Sequence, residues 1–198
     1  MSESMRVGSP QRSSSSVRSF MHPARRSLLW LNVLGGVAVL GSYVHGLASD
    51  PLTRGALWGE VPEALRPLYT LNMLLAAAGY LAFSFFVFFR VDPERTRIAG
   101  RFGYGAFHVL YALVLVSAAL WMPLTLEMIE APSAGLWLAI RAVLGLTGLG
   151  SLGLMLAVAT AAPHAAPGAR RAALGGTLFF SLQTAALDAL VWPAYFPV

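Results

Sequence analysis

The sequence contains no cysteine and no lysine, and only 12% of its 198 residues are charged. The missing thiols exclude cysteine catalysis, disulfide bonds, iron–sulfur clusters and zinc sites with cysteine ligands. Every basic residue is an arginine, which together with the abundant alanine indicates a GC-rich coding bias and suggests a bacterial source. The low charge excludes a soluble domain of this length, because such a domain needs a much more polar surface.

Hydrophobic residues make up 57% of the chain, and the mean hydropathy is +0.64. Five stretches reach the roughly 20 apolar residues needed to cross a hydrocarbon core about 30 Å thick. These stretches are 27–47, 67–89, 102–124, 134–160 and 172–195. The sequence therefore predicts an all-α, polytopic membrane protein whose residues 27–198 form one bundle of five transmembrane helices.

Residues 1–26 differ from the rest of the chain because they carry five arginines, a run of four serines and few large apolar side chains. Such a segment cannot bury a core, so it is predicted to be a disordered tail. The stretch 27–47 is longer than the apolar region of a cleaved signal peptide, which favours an uncleaved anchor. Cleavage after the small residues at 46–48 is the alternative.

The arginines predict the orientation of the helices, since positively charged loops stay in the cytoplasm. Eleven arginines fall in the tail, the second loop and the fourth loop, whereas the first loop holds only Arg54 and Arg66. This pattern places the N-terminus in the cytoplasm and the C-terminus outside, in a bacterial cytoplasmic membrane. Anionic lipid headgroups at the cytoplasmic face are the expected partner of the arginines, and nucleic acid is not.

Two ionisable residues lie within the predicted spans, where charges are costly and usually face a bundle interior. Arg141 lies about seven residues after the start of the fourth span, and Asp188 about seven residues before the end of the fifth. At 1.5 Å per residue, both are roughly 10 Å deep from the same side. They are predicted to pair, either as a clamp without a ligand or as the lining of a binding site.

Other polar and aromatic side chains lie near that depth, and together they predict a ligand pocket with apolar walls and few polar groups. The candidate ligand-binding residues are Arg141, Asp188, Trp121, Asn72, Tyr69, Gln183, His45 and Trp58. Anchoring of the helices at the membrane interface is the alternative role for most of them. Glu127 and Glu130 share a helical face. They are predicted to form a cation site or an acid–base pair, and the alternative is a solvated helix cap.

The sequence contains no catalytic or metal-binding motif such as GxSxG, a P-loop or HExxH. Haem ligation by two histidines is excluded for His45 and His108, because they are predicted at opposite ends of the bundle. No cofactor or metal is therefore predicted. The missing motifs argue against an enzyme but leave the question of activity open.

The segment Leu120-Trp121-Met122-Pro123-Leu124 and the first loop, with Trp58 to Pro62 and Arg66 to Tyr69, carry a family resemblance. The chain resembles the translocator protein or tryptophan-rich sensory protein (TspO) family, also in its five spans and long first loop. It departs from that family in having one tryptophan in the loop and no polar Gln or Asn before Trp121. The resemblance implies a porphyrin or sterol-like ligand bound under the first loop.

Three functional classes remain open at this point. The first is a binder or sensor of a small hydrophobic ligand, which requires the first loop to cover the pocket. The second is a structural or assembly subunit with a helix face left for a partner, which is either another membrane protein or a second copy. The third is a small transporter, although no internal repeat is visible. The site residues favour the first class.

Overall fold

The computed structural model describes residues 21–49, 51–163 and 166–196, and the regular elements within them are helices. Five helical segments are long and apolar enough to cross a membrane: Pro23–Leu47, Glu63–Phe89, Gly105–Glu130, Ala134–Thr160 and Pro167–Tyr195. The predicted all-helical fold with five membrane-length helices is confirmed, and it indicates a multi-pass membrane protein. Most of the predicted disordered tail, residues 1–20, lies outside the described residues.

Seven α-helices are present in the described residues: α1 (Pro23–Leu47), α2 (Pro51–Ala56), α3 (Arg66–Phe89), α4 (Gly105–Glu130), α5 (Ala134–Thr160), α6 (Pro167–Ser181) and α7 (Trp192–Tyr195). A short 3-10 turn at Glu63–Leu65 precedes α3. A π-helix at Leu182–Val191 continues α6 into α7. The fifth span is therefore one continuous rod built from α6, the π-helix and α7.

Three spans begin earlier than their apolar stretches predict: the second by a 3-10 turn from Glu63, and the first and fifth by about one α-helical turn. Helix α1 begins at Pro23 instead of residue 27, and α6 begins at Pro167 instead of residue 172. Proline suits the first turn of a helix, and the His22 side chain also accepts a hydrogen bond from the Ala24 N–H. Each helix thus continues beyond its apolar part to include a pair of arginines.

The five spans form a ring in the order first, third, fourth, fifth, second. Helix α1 packs on α4, α4 on α5, and α5 on the fifth span, which in turn packs along α3. Helices α3 and α1 make little contact, and the ring is completed there by the hydrogen bond that the Tyr80 hydroxyl of α3 donates to the Asn32 side chain of α1. Residues from spans distant in sequence therefore meet inside one shared interior.

The two ends of the bundle have opposite character. The end that holds the start of α1 and the loops at 90–104 and 161–166 carries Arg25, Arg26, Arg90, Arg95, Arg97, Arg101, Arg170 and Arg171. It is called the basic end. The other end holds the first loop, the start of α5 and the end of α7, with Trp58, Trp121, Trp137 and Trp192, and is called the aromatic end.

A separate group of buried apolar side chains fills each half of the bundle. The core of the basic half is centred on Phe83, Phe107 and Tyr111 and extends along α4 and α5. The core of the aromatic half is centred on Ile140 and Trp192 and includes residues of the first loop. The aromatic-half core therefore depends on a loop, whereas the basic-half core is built mainly from helices.

Helices α3 and α6 approach each other most closely where two glycines meet. A Cβ atom added to Gly79 would lie 2.4 Å from the carbonyl oxygen of Gly176, and one added to Gly176 would lie 2.6 Å from that of Gly79. Small residues allow such contact between membrane helices. This crossing fixes α3 against the fifth span, and both helices contribute to the candidate site.

Candidate functional site

Three polar side chains of α3 and the π-helix form a hydrogen-bonded chain inside the aromatic half. The Asn72 amide donates to Gln183 Oε1 at 3.0 Å and to the Phe179 carbonyl oxygen at 3.3 Å. The Gln183 amide then donates to Asp188 Oδ1 at 2.8 Å. Asn72, Gln183 and Asp188 are called the polar chain, and both of its hydrogen bonds point towards the carboxyl group of Asp188.

Asp188 is held in place without a cation. Among the described residues, no basic side chain lies within ion-pair distance of it, and its side chain has Gln183 as its hydrogen-bond partner. Tyr43 and Tyr69 are close enough to interact with it electrostatically. An acidic group inside a membrane span that lacks a cationic partner is typical of a functional site.

The π-helix brings the side chains of Gln183 and Asp188 together. In an α-helix, residues five apart project about 140° away from each other around the axis. A π-helix repeats its backbone hydrogen bonds every five residues, so these two side chains lie on the same side. The ten-residue π-helix is therefore the local structure that builds the polar chain.

Trp121 of α4 presents an unpaired hydrogen-bond donor in the same region. Its ring lies 5.7 Å from the ring of Tyr43 and 5.7 Å from the ring of Trp192. The Trp121 Nε1–H group is buried and meets no acceptor among the described residues. Leaving a buried donor unpaired costs about 1–3 kcal/mol. Tyr43 connects this donor to the neighbourhood of Asp188, because it contacts Trp121 and interacts with the carboxyl group.

A group of aromatic rings covers this interior towards the aromatic end. The aromatic cluster consists of Tyr43, Trp58, Tyr69, Trp121, Trp137, Trp192 and Phe196. Trp192 is its centre and packs at 4.6 Å from the ring of Phe196 and at 6.3 Å from that of Trp137. The candidate site thus consists of packed aromatic rings beside a small number of polar groups.

The first loop is fastened to the end of the fifth span. Trp192 Nε1 donates to the Leu57 carbonyl oxygen at 3.0 Å, and the Glu60 N–H donates to the Tyr195 carbonyl oxygen at 2.7 Å. Gly59 lies between these bonds with φ of 56°, and a Cβ there would be 2.7 Å from the Tyr195 oxygen. This position therefore requires glycine for both its backbone conformation and its close contact.

Trp58 and Tyr69 join the loop to α3. Their rings meet edge to face at 6.1 Å, and the Arg66 guanidinium lies 5.7 Å from the centre of the Trp58 ring. The Tyr69 hydroxyl donates to the Leu187 carbonyl oxygen at 2.9 Å, next to Asp188. The loop residue Trp58 is thereby linked, through Tyr69, to the backbone of the π-helix.

The predicted ion pair between Arg141 and Asp188 is wrong. The Arg141 side chain is exposed and forms no ion pair among the described residues, whereas Asp188 is partly buried and bonded to Gln183. Depth along a helix can be counted from the sequence, but the side that each residue faces depends on how the helices pack. The structure places Arg141 apart from the polar chain.

His45 also lies apart from the polar chain. It lines a cavity of about 450 Å³ at the aromatic end together with Ser49, Thr53, Pro123, Leu126, Glu127 and Glu130. His108 lies in the other half, where its Nε2 is 2.8 Å from the Ser27 hydroxyl. In the part of the chain that the structure describes, no three His, Asp or Glu side chains converge as metal ligands.

Of the eight predicted site residues, the structure thus gathers Asn72, Gln183, Asp188, Tyr69 and Trp121, with Trp58 adjoining them. It adds Tyr43 and Trp192, whose rings both contact that of Trp121. Comparison of the chain with known protein families, characterised proteins and solved structures finds no match. The geometry of these residues is therefore the basis for proposing a function.

Proposed function

We propose that the protein binds or senses a small, mainly apolar ligand in the aromatic half of the bundle. The observation that supports this proposal best is the Asp188 carboxyl group, which is held by Gln183 and has no cation of the described residues within ion-pair distance. A ligand with one hydrogen-bond donor or amine on an apolar body matches this acceptor and the aromatic walls around it.

The unpaired Trp121 N–H adds a second point of recognition, because it can donate to an acceptor on the same ligand. Porphyrins and sterols, which the family resemblance implies, are large apolar molecules with few polar groups. Entry requires the first loop to separate from the fifth span at the two hydrogen bonds from Trp192 and Glu60. Opening of this loop is therefore part of the proposed binding step.

Native mass spectrometry of the protein purified in mild detergent tests the proposal. The expected result is a small molecule retained at fixed stoichiometry by the wild type and lost from Asp188→Asn. The Trp121→Phe variant is expected to retain less of it. Arg141→Gln is the matched control, since it also changes a polar residue within a span but lies outside the site.

Equal retention by Asp188→Asn and the wild type would place the molecule elsewhere and contradict the proposal. A wild-type protein that carries no small molecule, even after incubation with protoporphyrin or cholesterol, would also contradict it. Thermal unfolding of each variant shows whether a loss of binding reflects loss of the fold.

The proposal includes an orientation, with the basic end in the cytoplasm of a bacterial cell and the aromatic end outside. It is supported by the arginines of the basic end and by Glu60, Glu63, Glu127 and Glu130 at the other. Because the chain has no cysteine, single cysteines at the exposed Glu94 and Glu60 positions can be labelled selectively. A membrane-impermeant maleimide added to intact cells is expected to label only position 60.

A second candidate function is that of an assembly subunit, and helix α1 favours it. Only Leu28 and Gly46 of this helix are buried, while Leu34, Val37 and Leu40 are each at least 65% exposed. A helix so little covered by its own chain offers a face to a partner helix. Co-purification of a second membrane protein that is lost with Val37→Trp, combined with no retained ligand, would favour this function.

A further inference from the structure

An open groove runs along the outside of the bundle at the basic end, between α4 and α5. Its volume is about 720 Å³, which lies within the range of small-molecule sites. The lining includes Phe102, Val109, Leu110 and Leu156, and every lining residue is apolar or glycine. The groove therefore suits a hydrocarbon chain and offers no side chain for a polar ligand.

The shape of the groove follows from its glycines. A Cβ atom added to Gly103 or Gly105 would meet nothing within 4 Å, so the missing side chains leave open space there. At Gly153 an added Cβ would lie 2.5 Å from Leu110, so this glycine allows Leu110 to pack against α5 as the floor. The groove is thus built by small residues on both helices.

The mouth of the groove is a turn fixed to the end of α5. Arg97 and Ala162 exchange backbone hydrogen bonds of 2.8 and 3.0 Å, and the Ala99 N–H donates to Thr160 Oγ1 at 3.0 Å. Within the turn, Ile98 and Phe102 form an isolated bridge. The residues at the mouth therefore keep a defined position relative to the groove.

Positive charge lies at this mouth. The Arg101 guanidinium is 4.3 Å from the centre of the Phe102 ring, which itself lines the groove. Arg97 is exposed on the same turn, and neither Arg97 nor Arg101 takes part in an ion pair among the described residues. By contrast, Arg95 is engaged by Asp92 at 3.8 Å. An apolar channel that ends at arginines not engaged in ion pairs matches a molecule with a hydrocarbon chain and a phosphate.

We infer that this groove binds one anionic phospholipid, with an acyl chain between α4 and α5 and the phosphate at Arg101 and Arg97. The positive charge at the mouth favours a lipid as the occupant of the groove over a helix from a second copy of the chain, because an apolar helix would leave the arginines without a counter-ion. The site is separate from the polar chain, so the inference does not depend on the proposed ligand function.

Lipid titration followed by native mass spectrometry tests the inference. Phosphatidylglycerol and phosphatidylcholine with identical acyl chains are added separately to delipidated protein in detergent. We expect one phosphatidylglycerol to bind with a dissociation constant about thirtyfold lower than that of phosphatidylcholine, since each of the two arginines near an anionic headgroup contributes about fivefold. Arg101→Gln is expected to reduce this preference to about fivefold, because Arg97 remains. Arg171→Gln, which changes an exposed arginine of the same end outside the groove, is expected to keep the full preference.

A second pair of variants tests the apolar part of the site. Val109→Trp places a large ring in the groove and is expected to weaken binding of both lipids. Val116→Trp is the control, because Val116 is exposed on the same helix two turns away and does not line the groove. Equal affinity for the two lipids, unchanged binding in Arg101→Gln or Val109→Trp, or a protein dimer that Val109→Trp dissociates would each overturn the inference. Asp188→Asn is expected to bind both lipids as the wild type does, because Asp188 does not line the groove. This variant therefore separates the test of the lipid groove from the test of the ligand site.

Discussion

The two halves of the bundle differ in which buried hydrogen-bonding groups lack a partner among the described residues. In the basic half these are the Nε atoms of Arg25 and Arg170, on guanidinium groups that donate through another nitrogen to backbone oxygens. In the basic half, the Tyr80 hydroxyl donates to Asn32, the Tyr111 hydroxyl lies 2.9 Å from that of Ser84, and the Tyr104 hydroxyl donates to a backbone oxygen. These tyrosines combine apolar packing with hydrogen bonds that are satisfied within the protein. Such a core is expected to act as a scaffold.

In the aromatic half, Trp121 and Asp188 each have a group that could form a further hydrogen bond. The Trp121 N–H has no acceptor among the described residues, and Asp188 holds one hydrogen bond and no cation. Native cores rarely leave such groups unpaired, because each one lowers stability. This difference is the reason why we propose a scaffold role for the basic half and ligand binding for the aromatic half.

The largest expected effect is at the glycine crossing that positions α3 for both halves. Gly79→Ala would place a Cβ 2.4 Å from a backbone oxygen of α6, so the helices must separate, at a cost of about 3 kcal/mol. Gly145→Ala is the control, since a Cβ there meets nothing within 4 Å. Equal unfolding temperatures for the two variants in detergent would show that this crossing does not hold the halves together.

The hydrogen bond between Tyr111 and Ser84 tests the scaffold role of the basic half. Tyr111→Phe is expected to lower the free energy of unfolding by about 1–2 kcal/mol, because it leaves the Ser84 hydroxyl unpaired in a buried site. Adding Ser84→Ala should recover part of this loss. Ligand retention is expected to stay at the wild-type level, and a reduction would contradict the separation of roles.

Asp188→Asn is expected to have the opposite effect on stability. The amide keeps the possibility of a hydrogen bond with Gln183 but removes an acidic group that lacks a cation, so unfolding should require about 1 kcal/mol more free energy. The same variant should lose the ligand. Chemical denaturation combined with the retention assay checks both results, and a loss of stability would indicate that the carboxyl group has a structural role.

The smallest effect is expected for Trp121→Phe. Loss of ring packing is offset by removal of a buried unpaired donor, so the unfolding free energy should change by less than about 0.5 kcal/mol. Trp192→Phe is the matched control, because it removes an N–H that does donate, to the Leu57 oxygen, and should cost about 1 kcal/mol. Similar losses in both variants would mean that the Trp121 N–H is paired after all.

The fold was largely predictable because membrane spans are defined by length and hydropathy, which are properties of the sequence itself. All five spans were found, and the fourth was predicted with the bounds Ala134–Thr160 that the structure has. The starts of α1 and α6 were missed, since arginines at helix ends look like loop residues when only hydropathy is read. The order of the helices around the ring could not be derived from hydropathy.

The sequence predicted how deep the candidate site residues lie in the membrane, but it did not predict which of their side chains meet. Counting residues correctly placed Asn72, Gln183 and Asp188 near one level of the membrane, and the structure joins them. The same counting paired Asp188 with Arg141, because depth along two helices does not show which side chains meet. The π-helix was also missed, although it decides that Gln183 and Asp188 share a side.

The hydrogen bond between Trp192 and Leu57 has a consequence for biosynthesis, because its partners are 135 residues apart in sequence. At roughly 5–20 residues per second, the ribosome needs about 7–27 s to reach Trp192 after Leu57 has been made. During this interval the first loop lacks the segment that covers it. The aromatic half can therefore mature only after Trp192 has been made, and until then a protease or chaperone on that side of the membrane meets an incompletely packed surface.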